Sequence, residues 1–250
     1  MSDYGSLATQ FYELDKPAAP PDALDFYAGF ARELGGPIHE PMCGTGRFLL
    51  PLLEEGLDVS GSDTSRHMLA ACARRGRELG LEPRLSQQSV EDLSCAEPPR
   101  LVMIPSGSFS LLLDDELAHR ALRRLHDALA PGGVLLVEAE RLVPTLPELS
   151  GTWGGRWVER ADGAKLVFSW LPQYSGAANI TTSLHRYELV EAGRLVATEY
   201  EEFRVRSYSV DEFDQLLAGA GFVQVEALKP YERAPSEADD DAIVFLARKA

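Results

Sequence analysis

Positive charge is scarce in this chain of 250 residues. Lys plus Arg number 24 against 39 Asp plus Glu, a formal net charge of −15 at pH 7. That balance repels phosphate backbones and anionic headgroups at long range, so neither nucleic acid nor a membrane is expected as a partner. Cysteine is sparse too. Cys43, Cys72 and Cys95 form no even framework and no C-x-x-C pair, so free thiols are expected and no metal. No apolar run reaches about 18 residues, which argues against a membrane-spanning helix. Residues 1–6 lack a basic stretch leading into an apolar core, so no secretory signal is read there and a cytoplasmic protein is expected. No Ser/His/Asp triad is apparent.

What is present is ordinary globular material, 45% hydrophobic and 25% charged. Up to about residue 140 helical and strand patterns alternate. Residues 21–34 carry Leu24, Phe26, Tyr27, Phe30, Ala31 and Leu34 at near-helical spacing before a Gly35-Gly36-Pro37 break. Strands are expected at 38–42, 57–62, 84–88, 101–104 and 134–137, and helices at 47–53, 66–79 and 116–129. This alternation predicts an α/β fold, a doubly wound parallel sheet of the Rossmann-like kind, with ligands at the carboxyl ends of the strands. The pattern changes near residue 150. Residues 165–174, 180–190 and 195–206 read as long strands joined by turns at Gly176 and Gly193, hence an antiparallel β insertion before the last helix at 210–218. All three tryptophans, Trp153, Trp157 and Trp170, fall in it. Strands at 222–228 and 243–247 close the chain. The whole reads as one domain, 1–250, with an N-terminal helical cap at 1–34 and the insertion at 150–208 as a lid.

The most informative stretch is Glu40-Pro41-Met42-Cys43-Gly44-Thr45-Gly46-Arg47, between a strand and a helix. Gly44 and Gly46 permit a tight turn and close approach of backbone to a ligand. Glu40 offers a carboxylate to an ammonium or hydroxyl. Asp63 ends the next strand, 17 residues beyond Gly46, near the spacing at which an acid meets ribose hydroxyls; it is equally placed to cap the following helix. The third glycine of the dinucleotide G-x-G-x-x-G is absent, because Arg47-Phe48-Leu49 follows Gly46. That favours a nucleoside without a pyrophosphate.

These residues resemble the class I S-adenosylmethionine-dependent methyltransferases, and the resemblance covers nearly the whole chain. Glu40 to Arg47 resembles their first motif. Asp63-Thr64-Ser65-Arg66-His67-Met68-Leu69 resembles their ribose-binding strand end and helix start. Ser89-Val90-Glu91-Asp92-Leu93 stands at the adenine edge, and Leu129-Ala130-Pro131-Gly132-Gly133-Val134-Leu135 resembles the turn before their fifth strand. Two departures stand out: Ser89 replaces the usual adenine-edge aspartate, and Arg100 the aspartate opening strand four.

The resemblance implies S-adenosyl-L-methionine as cofactor. The implied contacts are Glu40, Cys43, Gly44, Thr45, Gly46, Arg47, Asp63, Thr64, Met68, Val90, Glu91 and Pro105. It also implies transfer of a methyl group to a small-molecule acceptor, an amine or hydroxyl, by in-line displacement, in a monomer or homodimer. Acceptor contacts are expected from Tyr4, Tyr12, Ser106, Phe109, Trp153, Trp157 and Arg186, with Tyr12 and His185 as catalytic candidates. The insertion also resembles that of small sugar and glycine-type N-methyltransferases. A nicotinamide-dependent oxidoreductase and a non-catalytic S-adenosylmethionine-binding protein stand as alternatives.

Overall fold

The computed structural model describes residues 4–141, 151–174 and 179–250. The turn expected at Gly176 and the start of the insertion at position 150 lie outside them.

The chain opens with helices α1 (Ser6–Asp15) and α2 (Pro21–Leu34). Then follow β1 (Ile38–Pro41), α3 (Leu49–Glu54), β2 (Val59–Asp63), α4 (Arg66–Glu78), β3 (Arg84–Gln87), β4 (Leu101–Ile104), α5 (Asp115–Ala128) and β5 (Val134–Glu140). Four strands come next: β6 (Gly154–Glu159), β7 (Lys165–Tyr174), β8 (Ile180–Glu191) and β9 (Arg194–Arg206). Helix α6 (Val210–Gly219), β10 (Val223–Leu228) and β11 (Ala242–Arg248) complete it.

The main sheet has the order β10-β11-β5-β4-β1-β2-β3. Strands β3, β2, β1, β4 and β5 are parallel, and β11 runs antiparallel between β5 and β10. The chain works outward from β1 to β3 and then returns to β4, which makes a switch point between β1 and β4. Both faces of the central strands are buried. Leu101 and Met103 join one core with Phe26, Tyr27, Phe30, Leu49 and Leu52. Val102 and Ile104 join the other, with Leu122, Leu125, Phe109, Phe213 and Phe245. That double burial is why β4 is a continuous apolar run.

Helix ends follow local chemistry. Pro21 occupies the first turn of α2, and Gly35 ends it at φ 59°. The Asp114 carboxylate accepts the Leu117 N–H at 3.1 Å to start α5, and the Ser209 hydroxyl accepts the Glu212 N–H at 3.2 Å to start α6. Among the described residues only a 3₁₀ turn, Val90–Asp92, stands between β3 and β4. The sheet face there is correspondingly polar. His39 places Nδ1 2.9 Å from Ser60 Oγ and Nε2 3.1 Å from Ser62 Oγ.

The insertion is an antiparallel meander, β6-β7-β8-β9. It has four strands where three are expected from sequence. Gly154-Gly155 reads as a breaker, but β6 is an edge strand and pairs from Gly154↔Trp170 to Glu159↔Lys165. One face packs against α1, with Leu7, Ala8 and Phe11 on Leu166, Phe168 and Tyr187. The helix expected at 47–53 begins later, at Leu49, because Gly46 sits at φ 77° outside helical space.

Candidate functional site

The segment leaving β1 turns sharply at the switch point. Met42, Gly44 and Gly46 all have left-handed φ, at 60°, 53° and 77°. The two glycines differ in what surrounds them. A Cβ on Gly44 would meet only Met68 Sδ, at 4.0 Å, so the backbone there stays open. A Cβ on Gly46 would fall 2.5 Å from Cys72 Sγ and 3.0 Å from Leu50 Cγ. Gly46 therefore allows close packing of the turn on α4 and α3. It does not line the cleft, contrary to the sequence expectation.

Asp63, at the end of β2, braces this turn. Its Oδ2 accepts the Gly44 N–H at 2.9 Å and its Oδ1 accepts the Ser65 N–H at 2.8 Å. Ser65, not Asp63, supplies the side-chain cap of α4, accepting the Met68 N–H at 3.3 Å. The Ser65 hydroxyl donates to the Tyr4 carbonyl at 2.8 Å, which ties the N-terminal segment over the same spot.

Glu40 is the most unusual group. Only 2% of it is exposed, and its Oε2 has no partner. Burial pushes the carboxyl well above the ordinary carboxylate range; a backbone N–H from Leu49 and the Arg47 charge oppose this, and Asp63 adds to it. A buried acceptor without a donor is costly unless a ligand supplies one.

The cleft has two adjoining chambers. The larger encloses about 560 Å³ of space, part of it open to solvent. It is lined by Tyr4, Tyr12, Met42, Gly44, Asp63, Thr64, Met68, Gln88, Val90, Ser108 and Leu111. The smaller is lined by Glu40, Cys43, Thr45, Arg47, Phe48, Pro105 and Ser106, and shares Tyr12, Met42, Gly44 and Ser108 with the first. Tyr12 thus stands at the junction. Its hydroxyl accepts from Arg47 Nη1 at 2.8 Å, and Arg47 Nε is fixed by the Ala18 carbonyl at 3.1 Å. Tyr4 meets Tyr12 edge to face at 5.9 Å. Burial, then the neighbouring Tyr12 and Glu201, push the Tyr4 hydroxyl well up, so it keeps its proton.

The roof is held by the insertion. The Glu199 carboxylate of β9 accepts the first free N–H groups of α1, from Leu7 at 3.0 Å and Ala8 at 3.2 Å. Gly5 leaves room for it, since a Cβ there would collide with that carboxylate. Arg156 pairs with Asp15 at 2.6 Å, and Arg74 pairs with Glu13. Farther along the same sheet face is a cavity walled by Trp153, Trp170, Pro172, Phe203 and Val205, with Thr181, Ser183 and His185. His185 stacks on Phe203 with ring centroids 4.7 Å apart and lies 4.0 Å from the Glu201 carboxylate. Burial lowers its pKa to about 4, which keeps the ring neutral.

Some expected residues lie elsewhere. Phe109 is fully buried in the core beside Tyr208 and Phe213, 5.3 Å from the latter, and cannot touch a ligand in this arrangement. Trp157 is 54% exposed on the sheet face away from α1, under the Lys165 ammonium. Arg186 shares that outer face, 3.4 Å from Glu188, with its guanidinium 5.1 Å from the Trp153 ring centre. Glu91 is in the 3₁₀ turn beside Val90, outside the chamber walls, with Oε2 buried and without a hydrogen-bond partner. Met42, Phe48, Gln88, Ser108 and Leu111 line the cleft but escape sequence reasoning. Met42 lies inside the stretch from Glu40 to Arg47 and Gln88 adjoins Ser89, and that proximity was the available signal.

With this geometry in place, comparison with known proteins is informative. Residues 38–133 match the family described as "Methyltransferase domain". A putative methyltransferase of Geobacillus sp. (strain WCH70) is 24% identical over 83% of this chain and 82% of its own length. The crystal structure of an S-adenosylmethionine-dependent methyltransferase from Clostridium acetobutylicum ATCC 824 superposes with a TM-score of 0.78 at 17% identity, covering 96% of each chain. The sugar N-methyltransferase KedS8 from Streptoalloteichus sp. ATCC 53650 gives 0.73 at 21% identity, over 92% of this chain and 87% of its own. At these identities the structural likenesses concern the fold.

Proposed function

We propose, from the premise that residues 38–133 of this chain are a methyltransferase domain, that the protein transfers a methyl group from S-adenosylmethionine to an amine of a small molecule. One observation carries this reading. A buried carboxylate oxygen on Glu40 lacks a donor, at a strand end beside a second carboxylate, Asp63, and an open glycine turn. A ligand with an ammonium at one end and a ribose at the other satisfies both. When bound, the cofactor supplies a methyl group on a positively charged sulfur, ready for in-line displacement.

The chain's own residues bind, orient and exclude water. Glu40 accepts from the amino-acid ammonium. Asp63, which braces Gly44 and Ser65 at the end of β2, would accept from the ribose hydroxyls. Met68 and Val90, which line the larger chamber, would flank the base. Arg47 and Tyr12, already hydrogen-bonded, stand at the amino-acid end. Tyr4, Tyr12 and α1 close the roof, which keeps the reacting atoms aligned; alignment is worth several kcal/mol, up to about 7–11 in ideal cases. His185, with a pKa of about 4, is poorly matched to taking a proton from an amine. The amine enters uncharged and loses its extra proton to water after transfer.

The amine reading is supported by KedS8, a sugar N-methyltransferase of the same fold. Calorimetric titration with S-adenosylmethionine, S-adenosylhomocysteine and NAD tests the cofactor; binding of NAD alone sinks the proposal. A screen following S-adenosylhomocysteine release over amines, alcohols and carboxylates tests the acceptor. Turnover confined to alcohols or carboxylates overturns the amine assignment.

A further inference from the structure

The loop after β4 forms one wall of the smaller chamber through Pro105, Ser106 and Ser108. Its backbone is unusual. Ser106 sits at φ 59° and Gly107 at φ 65°, two left-handed residues in a row. Glycine takes this conformation freely, but serine pays for its Cβ there, and such a residue persists only where its surroundings over-determine it.

Glu138, on β5, is what over-determines it. The side chain is 5% exposed, and its carboxylate gathers donors from three separate segments. Oε2 accepts the Ser106 N–H at 2.9 Å. The Tyr27 hydroxyl of α2 donates to Oε2 at 3.3 Å, and the Tyr231 hydroxyl, beyond β10, lies 3.3 Å from both oxygens. Two residues along, Glu140 repeats the support. Its backbone N–H donates to Ser110 Oγ at 2.9 Å, and its carboxylate lies so close to Gly107 that a Cβ there would approach to 2.8 Å. The middle of α2, β5 and the chain beyond β10 thus converge on one carboxylate that holds a single peptide N–H at the chamber wall.

We propose that Glu138 is a positioning residue for methyl transfer: it holds Ser106 in its left-handed conformation and so sets the wall against which the acceptor aligns beside the cofactor. This rests on the functional reading given above. Glu138 touches neither cofactor nor acceptor, since it lines neither chamber. Its effect passes through the Ser106 peptide. The carboxylate is an acceptor only, and three donors from three elements define its place, so a side chain without acceptors leaves Ser106 free to relax to negative φ.

The test separates alignment from folding and from cofactor binding. Glu138→Leu keeps the bulk and removes every acceptor. The expected result is a kcat reduced about tenfold to hundredfold, with the S-adenosylmethionine Kd changed less than about threefold. Glu138→Gln keeps a carbonyl for the Ser106 N–H and should restore kcat to within about threefold of wild type. A Tyr27→Phe/Tyr231→Phe variant keeps the ring packing, and serves if the Leu variant does not fold. It leaves the carboxylate with the Ser106 N–H alone, and kcat should fall about fivefold at unchanged Kd. Wild-type kcat in a folded Leu variant, or in the double Phe variant, overturns the assignment. So does a Leu variant whose cofactor affinity falls in step with its kcat. Absence of cofactor binding by the wild-type protein would instead sink the functional reading itself.

Discussion

Glu40→Gln should weaken cofactor binding and strengthen the ligand-free fold at the same time. In the ligand-free protein the Glu40 carboxyl is buried, holds one backbone N–H from Leu49, and leaves Oε2 without a partner. Burial raises its pKa, so its contribution to stability is full below the ordinary carboxylate range and is lost as pH rises through the folded pKa. A glutamine keeps a carbonyl for Leu49 and carries no charge to desolvate. The ligand-free variant should therefore unfold at a higher temperature than wild type at pH 8, and the gap should narrow toward pH 4.5. Binding should move the other way. A hydrogen bond to a charged group is worth about 1.5–3 kcal/mol, so the S-adenosylmethionine Kd should rise about tenfold to hundredfold. The ammonium also pulls the Glu40 pKa down on binding, so wild type should release a proton that the variant does not. Calorimetry in two buffers of different ionisation enthalpy reads that proton directly. Equal affinity, or a variant that is less stable without ligand and binds with the same proton count, refutes the reasoning.

Other outcomes follow from the same geometry. Asp63→Ala should weaken S-adenosylmethionine binding by about 1–3 kcal/mol and lower the melting temperature, since Gly44 and Ser65 lose their acceptor; unchanged calorimetric affinity removes Asp63 from the ribose role. His39 is buried and its pKa falls from 6.5 to about 4, so its contribution is present above pH 6.5 and is lost as pH falls toward 4. Linkage makes that about 3 kcal/mol, and urea unfolding of wild type and His39→Gln between pH 4 and 7.5 should show a steeper acid loss in wild type. Gly5→Ala should push Glu199 off the end of α1 and cost about 0.5–2 kcal/mol of helix stability, seen as faster hydrogen exchange at residues 7–12 with the main sheet unaffected.

Much of the site could be read directly because the residues that make it are neighbours in sequence. The strand–turn–helix at 38–54 and the strand end at Asp63 carry Glu40, Gly44 and the brace between them, and both stretches obey local rules of turn and cap. Gly46 misled for a physical reason: a glycine needed for close packing looks identical in sequence to one needed for ligand approach. Phe109 misled because loop position says nothing of direction, and this ring turns into the core. The two faces of β8 were legible as an alternation, but which face meets α1 depends on contacts with Leu7 and Phe11 about 175 residues away. Strand β6 was hidden by two glycines whose pairing is set by a partner strand. The Glu138 node was invisible, since its three donors come from residues 27, 106 and 231.

The bond between Glu199 and the start of α1 spans 192 positions. A ribosome delivers the chain from its N-terminus, at roughly 5–20 residues per second. The helix that roofs the cleft therefore emerges early but waits for its cap until β9 has left the exit tunnel. By then the main sheet through β5 is already outside. The half of the cleft built by β1, β2 and the turn at Gly44 is made before its roof, and the nascent protein passes through a stage in which that half lies open.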